Sequence, residues 1–259
     1  MKRKEMLGRL MPVLTVVVLL IVWEAVCRIF ALPIFVLPPP SAVAVVLVKT
    51  FPAIWFNAEE TLITTVLGFV IAVVVGLVLG VIVGSSRLAY QGLYPVLIGF
   101  NSVPKVALVP LLVVWFGIGA VPAVITAFLL SFFPVAVNVA TGLATVEPEL
   151  QDVLRSLGAT RFDIVRKVGL PRSMPYFFAS LKIAITLAFV GSVISETLAS
   201  DRGIGTLVEE ASANFEVPLV FAGLTVVAAM GIAMYALFAF IERRMTHWAV
   251  RTEQFGIGG

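Results

Sequence analysis

Lys105 is the side chain with the widest choice of chemistry in this sequence. It follows Pro104 inside a long apolar run, with Asn101 and Ser102 a turn earlier and Pro110 a turn later. Two prolines interrupt the helical hydrogen bonds there, and free carbonyls are tolerated at membrane depth where they line a cavity. An ammonium group beside such a break attracts an anionic solute to a polar path. Alternatively it satisfies the freed carbonyls, or an acidic side chain on a neighbouring span, and holds the bend. Ser180, Thr186, Ser192 and Ser195 form a second polar series, with Glu196 at its end, where water is expected to reach it. Such hydroxyls line a path or hydrogen-bond across helices. Other chemistries lack their parts. Cys27 has no second cysteine to pair with, and His247 is the single histidine. No disulfide framework, metal cluster or nucleophile–histidine pair follows. No Gly-x-x-x-x-Gly-Lys-[Ser/Thr] phosphate loop occurs, so the chain is not itself an ATPase, and no cofactor is expected.

The elements that position these residues must lie in a bilayer. Of the 259 residues 60% are hydrophobic and only 13% charged, about half the charge of an average soluble domain, and the mean hydropathy is +1.09. The net charge of +3 therefore does not point to nucleic acid. A crossing helix needs roughly 20 apolar residues, and the runs near 12–30, 61–83, 88–116, 121–143, 176–199 and 218–241 qualify. The reading is an all-α membrane protein with six transmembrane helices in one domain over 1–259. The first run follows a basic start, but no small-x-small cleavage site follows it, so it reads as a retained span. Glu24 and Arg28, one turn apart in it, are expected to pair with each other. Lys182 is expected to snorkel to the inner interface.

Basic residues set the orientation. The N-terminal segment, Arg87, the 148–172 segment and Arg243, Arg244 and Arg251 fall on one side, while only Lys49 and Arg202 fall on the other. Both termini and the 148–171 segment are thus placed in the cytoplasm. Outside, LPPPSAV (37–43) leads into a short interfacial helix over 43–56, and the SDRGIG turn (200–205) into another. Asp201, Arg202, Glu209 and Glu210 there are docking contacts for an external protein, or a solvated acidic loop. Ala72, Gly76, Gly80 and Gly84, spaced four apart, form a flat stripe for close helix approach, read as packing within the bundle in preference to contact with a second copy. No repeat suggests inverted halves. A secondary transporter would need coupling carboxylates in its spans, and only Glu24 and Glu196 are there.

The stretch LQDVLRSLGATRFDIVRKVGLP (150–171) is charged amid apolar runs. Leu150, Val153, Leu154 and Leu157 form one helical stripe; Phe162, Val165 and Val168 form a second after Gly158. Two short amphipathic helices joined at a glycine, ending at a proline that opens the next span, either anchor to lipid headgroups or dock on a cytoplasmic partner. The spacing resembles the EAA loop of ABC importer permeases: Gly158 takes the glycine position, Val168 the aliphatic, and Leu170-Pro171 the Leu-Pro. The triplet position holds Asp152-Val153-Leu154, which keeps the acid and loses both alanines. LPPPSAV, SVPKVALVPLLVVWFGIG (102–119) and SETLASDRGIGTLVEEA (195–211) resemble the branch importing nitrate, sulfonates and taurine.

The resemblance implies a type I ABC importer permease of the bacterial cytoplasmic (inner) membrane, a transport subunit and not an enzyme. Implied partners are a dimer of separate ABC ATPases, an external substrate-binding protein, a second permease copy forming a homodimer, and membrane lipid. The EAA loop would be the coupling helix, seated in a cleft of the ATPase and moved by its closure, with Asp152, Arg155, Gly158, Ala159, Arg161, Phe162, Leu170 and Pro171 as contacts. Asn101, Ser102, Lys105, Ser192 and Glu196 would belong to the translocation pathway. The implied solute is a small anion, organic or inorganic; the alternatives are a neutral pyrimidine-type vitamin precursor, or a non-ABC secondary transporter.

Overall fold

The computed structural model describes residues 2–144 and 148–246, so His247 and Arg251 lie outside the described residues. All regular structure within them is helical: α1 (Lys2–Ile29), α2 (Pro40–Lys49), α3 (Phe51–Gly84), α4 (Arg87–Ser102), a 3-10 turn (Lys105–Leu108), α5 (Val109–Phe116), α6 (Ala120–Ala144), α7 (Pro148–Ser156), α8 (Arg161–Ile164), a π turn (Val165–Gly169), α9 (Leu170–Ala199), α10 (Ile204–Ala213) and α11 (Val217–Met245). In lipid the backbone must satisfy its own polar groups, which only helices and closed barrels do. Among the described residues five helices are long and apolar enough to span, and the bent α4–α5 pair makes a sixth if it is taken as one span.

The core is a three-helix unit of α3, α6 and α9. Gly68 meets Val124 and Ala127, Gly76 meets Phe132 and Val135, Gly80 meets Ala136 and Val139, and Gly84 meets Ala140 and Leu143. Both sequences advance together, so α3 and α6 run parallel with nothing but hydrogen between their backbones. The stripe read from the sequence packs within the bundle. Gly142 meets Ser173 and Gly191 meets Thr126 and Ala127, which sets α9 antiparallel to α6. Phe178, Leu181, Ala184, Ile185 and Ala188 of α9 fill the remaining core. A second cluster forms at the end away from the charged loop, where Val43 of α2, Ile54 and Ala58 of α3, Ile204 and Leu207 of α10, and Ala222 and Val226 of α11 pack together.

Several boundaries differ from the sequence reading. The short helix expected over 43–56 ends at Lys49, because Pro40 starts α2 early and Pro52 sits in the first turn of a new helix, α3. With 34 residues, α3 is about 51 Å long and outreaches a hydrocarbon core of roughly 30 Å. The run 88–116 is not one straight span: α4 and the segment after it meet at 69°. Glu24 and Arg28 pair at 2.7 Å as expected. Glu24 also accepts from Ser41 N at 3.0 Å and Ser41 Oγ at 2.8 Å, which ties α1 to the first turn of α2. Lys182 does not snorkel free. It meets Glu242 of α11 at 2.6 Å, because α9 and α11 pack side by side and bring the two residues together.

Candidate functional site

Three places assemble the residues singled out above, beginning with the broken span. Proline disfavours helical backbone in the residue before it, and Val103 is accordingly extended at φ −70, ψ 129. The chain turns through Pro104 and restarts in the 3-10 turn. Lys105 folds back over the break: its Nζ donates to Asn101 O at 3.0 Å and to Asn101 Oδ1 at 2.7 Å. Asn101 O belongs to the last turn of α4, where helix ends leave backbone acceptors unpaired, and Oδ1 is the side-chain amide of the same residue. Lys105 is only 6% exposed, yet no carboxylate forms an ion pair with it among the described residues. An ammonium has three donors, so one remains beyond the two given to Asn101. Asn101 and Ser102 are exposed, and Ser102 Oγ returns to Ile98 O at 3.1 Å.

The charged loop closes the opposite ends of α6 and α9. Helix α7 stops in a glycine-terminated cap, with Ala159 N donating to Leu154 O and Gly158 N to Arg155 O. This arrangement requires the left-handed backbone that Gly158 supplies at φ +85. Thr160 then starts α8 in a reciprocal box: Asp163 N donates to Thr160 Oγ1 at 3.2 Å and Thr160 N to Asp163 Oδ2 at 3.2 Å. Asp152 pairs with Arg155, and Asp163 with Lys167. Val153, Leu157 and Phe162 are exposed at 57%, 79% and 70% and face outward from the chain, while Leu154, Val165 and Val168 are half-buried and Val165 packs against the core. The second half is not a separate amphipathic helix ending at a proline. It passes through the π turn into α9 without a stop, with Ile164, Gly169 and Leu170 all in right-handed helical backbone and Pro171 in the first turn of α9. Ile164 and Gly169 are buried, and Gly169 lies against the Leu143 side chain of α6. Ala159 and Leu170 are half-buried and Pro171 exposed; the side chain of Arg161 lies outside the described residues.

At the other end, Glu196 is 1% exposed, which corrects the expectation that water reaches it. Antiparallel packing sets it between α3 and the turn after α9. Its carboxylate accepts from Thr61 Oγ1 at 2.7 Å, Ser192 Oγ at 3.1 Å, Thr64 Oγ1 at 3.2 Å and Gly205 N at 3.1 Å. Of the polar series on α9, Ser180 and Ser195 are also buried, while Thr186 opens onto an apolar groove of about 530 Å³ between α9 and α11. Arg202 is engaged within the chain: it donates to Phe56 O, lies 3.6 Å from the Phe56 ring centroid, and faces Glu59 and Glu60 at 3.4 and 3.6 Å. Asp201, Glu209 and Glu210 stay exposed. Lys105 and Asn101 are thus joined directly, as are Ser192 and Glu196. The partners Thr61, Thr64 and Asn57 were missed. Thr64, with Gly68, continues the four-residue stripe of Ala72, Gly76, Gly80 and Gly84 backwards along the buried face of α3, and that spacing was the one local signal. Nothing local pointed to Glu242 as the partner of Lys182.

Residues 72–247 match the family model for the binding-protein-dependent transport system inner membrane component, more than half of the chain. A riboflavin transport system permease protein of Chloroflexus aurantiacus is 34% identical, over 90% of this chain and 88% of the relative. A taurine transport system permease protein of Escherichia coli is 29% identical over 90% and 88%. A formylaminopyrimidine transport permease protein of Halalkalibacterium halodurans is 27% identical over 92% and 95%. Among solved structures, a chain of the MetNI methionine ABC transporter in an inward-facing conformation superposes with a TM-score of 0.67 at 21% identity, covering 75% of this chain and 98% of that one. The fold is shared with that chain.

Proposed function

The chain belongs to the family of binding-protein-dependent transport system inner membrane components, multi-pass ABC importer permeases of the bacterial inner membrane, and from that premise we propose that it passes a small organic anion across the broken span at Lys105. The observation that carries this reading is the buried ammonium of Lys105, held by Asn101 and without a carboxylate partner among the described residues. A charge taken out of water is costly unless compensated, and a solute carboxylate or sulfonate would complete it during passage. Asn101 and Ser102, exposed at the same break, would add polar contacts.

In this reading the ATPase pair docks on Val153, Leu157 and Phe162 around the Gly158 joint, with Asp152, Arg155, Ala159, Arg161, Leu170 and Pro171 at the margin of the contact. A second copy completes the membrane unit, and an external binding protein lands near Asp201, Glu209 and Glu210. A second reading, a neutral heteroaromatic solute, is favoured by the likeness to riboflavin and formylaminopyrimidine permeases. Uptake by proteoliposomes holding the permease, its ATPase and its binding protein separates the two, with taurine and riboflavin as probes. A charge-assisted hydrogen bond contributes about 1.5–3 kcal/mol, so Lys105→Met is expected to weaken anion uptake roughly 10- to 100-fold, while Lys105→Arg retains much of it. Unchanged affinity and rate in a normally assembled Lys105→Met complex would sink the anion reading, and taurine-independent uptake of riboflavin would replace it with the second.

A further inference from the structure

The Glu196 cluster has more connections than a packing role needs. Glu196 is in the last turn of α9, and α9 is continuous with the π turn and α8 of the charged loop at its other end. Donors from three elements converge on one buried carboxylate: Thr61 of α3, the Gly205 amide of α10, and the pair Thr64 of α3 and Ser192 of α9, which also hydrogen-bond each other. Thr61 serves twice, because its Oγ1 also accepts from Ile204 N at 2.8 Å. One turn earlier on α3, Asn57 Oδ1 accepts from Gly203 N at 3.0 Å. Three consecutive amides, those of Gly203, Ile204 and Gly205, are thus capped by side chains of α3 and α9. They are the first amides of α10, which a helix cannot satisfy from within. No side chain of α10 caps its own start.

The two glycines exist to let the carboxylate in. A Cβ on Gly203 would stand 2.4 Å from Glu196 Cδ, and one on Gly205 would stand 2.3 Å from Val193 O and 2.6 Å from Glu196 Cβ. Gly203 also holds φ +133, a backbone that side-chain-bearing residues rarely adopt. The junction is therefore closely packed, and Glu196 is shut off from bulk solvent. Among the described residues no lysine or arginine bonds Glu196, and its partners are neutral donors.

We propose that Glu196 is a positioning residue: with Thr61 it clamps the start of α10, and so the exposed platform bearing Asp201, Glu209 and Glu210, onto the two helices α3 and α9. The consequence is mechanical. The platform moves with α9, and α9 moves with the charged loop, so a displacement of the loop arrives at the far end of the molecule as a displacement of α10. This rests on the importer reading, which makes the loop the place where the ATPase acts. Two neighbouring features agree with a clamp. Thr206 Oγ1 lies 3.2 Å from Glu196 O and 3.3 Å from Ser200 O, its one hydroxyl hydrogen shared between them across the turn. Arg202, within the turn, is held by Phe56, Glu59 and Glu60 at the start of α3.

The test is hydrogen–deuterium exchange on the permease assembled with its ATPase in lipid nanodiscs, with and without ATP plus vanadate. Thr61→Val is nearly isosteric and removes both the donor to Glu196 and the acceptor for Ile204. Thr61→Ser keeps both, and Glu196→Gln replaces one acceptor oxygen with a donor. Amides 203–205 are expected to exchange at least ~10-fold faster in Thr61→Val and Glu196→Gln than in the native protein, with Thr61→Ser close to native. With ATP and vanadate, native protein and Thr61→Ser should change exchange both at the 148–169 loop and at 203–213. The other two variants should keep the loop response and lose the distant one. Unchanged exchange at 203–205, or an intact distant response in Thr61→Val, overturns the clamp. Loss of the loop response as well reduces Glu196 to general folding support and also overturns it. If the native complex shows no nucleotide response at the loop, the importer reading fails, and the clamp stands or falls on the exchange of amides 203–205 alone.

Discussion

Replacing Gly80 with alanine puts a methyl group 2.6 Å from Val139 Cβ and 2.8 Å from Ala136 O. Carbon atoms rest at about 3.5–4.0 Å, so α3 and α6 must part by roughly 1 Å at this level. A gap of that size forfeits about a quarter to a half of the dispersion well of each contact it opens. The loss spreads along the interface, since Gly76 and Gly84 approach α6 as closely. Overpacking of this kind costs about 1–3 kcal/mol. Alanine regains up to about 1 kcal/mol of helix propensity, which leaves a net loss of roughly 0–2 kcal/mol. Gly99 of α4 is the internal control, because a Cβ there meets nothing within 4 Å. Gly99→Ala should therefore be neutral or stabilising by up to about 1 kcal/mol. The assay is unfolding by dodecyl sulfate in mixed micelles, followed by circular dichroism. Equal midpoints for Gly80→Ala and Gly99→Ala would refute the argument that the absent side chain at Gly80 sets the α3–α6 distance.

Two further outcomes follow from single contacts. Lys182→Met leaves Glu242 half-buried without its cation; removing one partner of a fully buried pair costs about 3–5 kcal/mol, and with both side chains about one-fifth exposed the loss should be nearer 1–3 kcal/mol in the same unfolding assay. The double change Lys182→Met with Glu242→Gln should recover most of it, and a double variant no more stable than the single one contradicts the pairing. Thr160→Ala removes the acceptor for Asp163 N, a cap contributing about 1 kcal/mol. Faster amide exchange confined to residues 160–164 is the expected signature, and none at all would mean that the π turn and α9 hold this segment unaided.

Periodicity and turn chemistry were legible wherever they act locally. The spans 121–143 and 218–241 came within a few residues of α6 and α11 because uninterrupted apolar runs leave a helix no alternative in lipid. The Gly158 joint was readable because a glycine between two amphipathic stripes has few other uses. The helix boundaries at 49–51 and 169–171 were less so. Pro52 and Pro171 were visible, but whether a proline ends one helix or begins another depends on what packs against it.

The amino-acid sequence by itself determined that this chain lives in a membrane, which segments are long and apolar enough to cross it, which residues form the small stripe of α3, and the family to which its motifs belong. Each of these follows from residue type and spacing along a few turns. The tertiary structure decided the partners. Lys105 turned back onto Asn101, Lys182 met Glu242 across sixty positions, and Glu196, read as a water-exposed carboxylate, became a buried junction with Thr61 across 135. Hydrogen bonds between distant helices depend on the rotation and register with which those helices pack, and packing is a property of the whole bundle, which no local stretch of sequence contains.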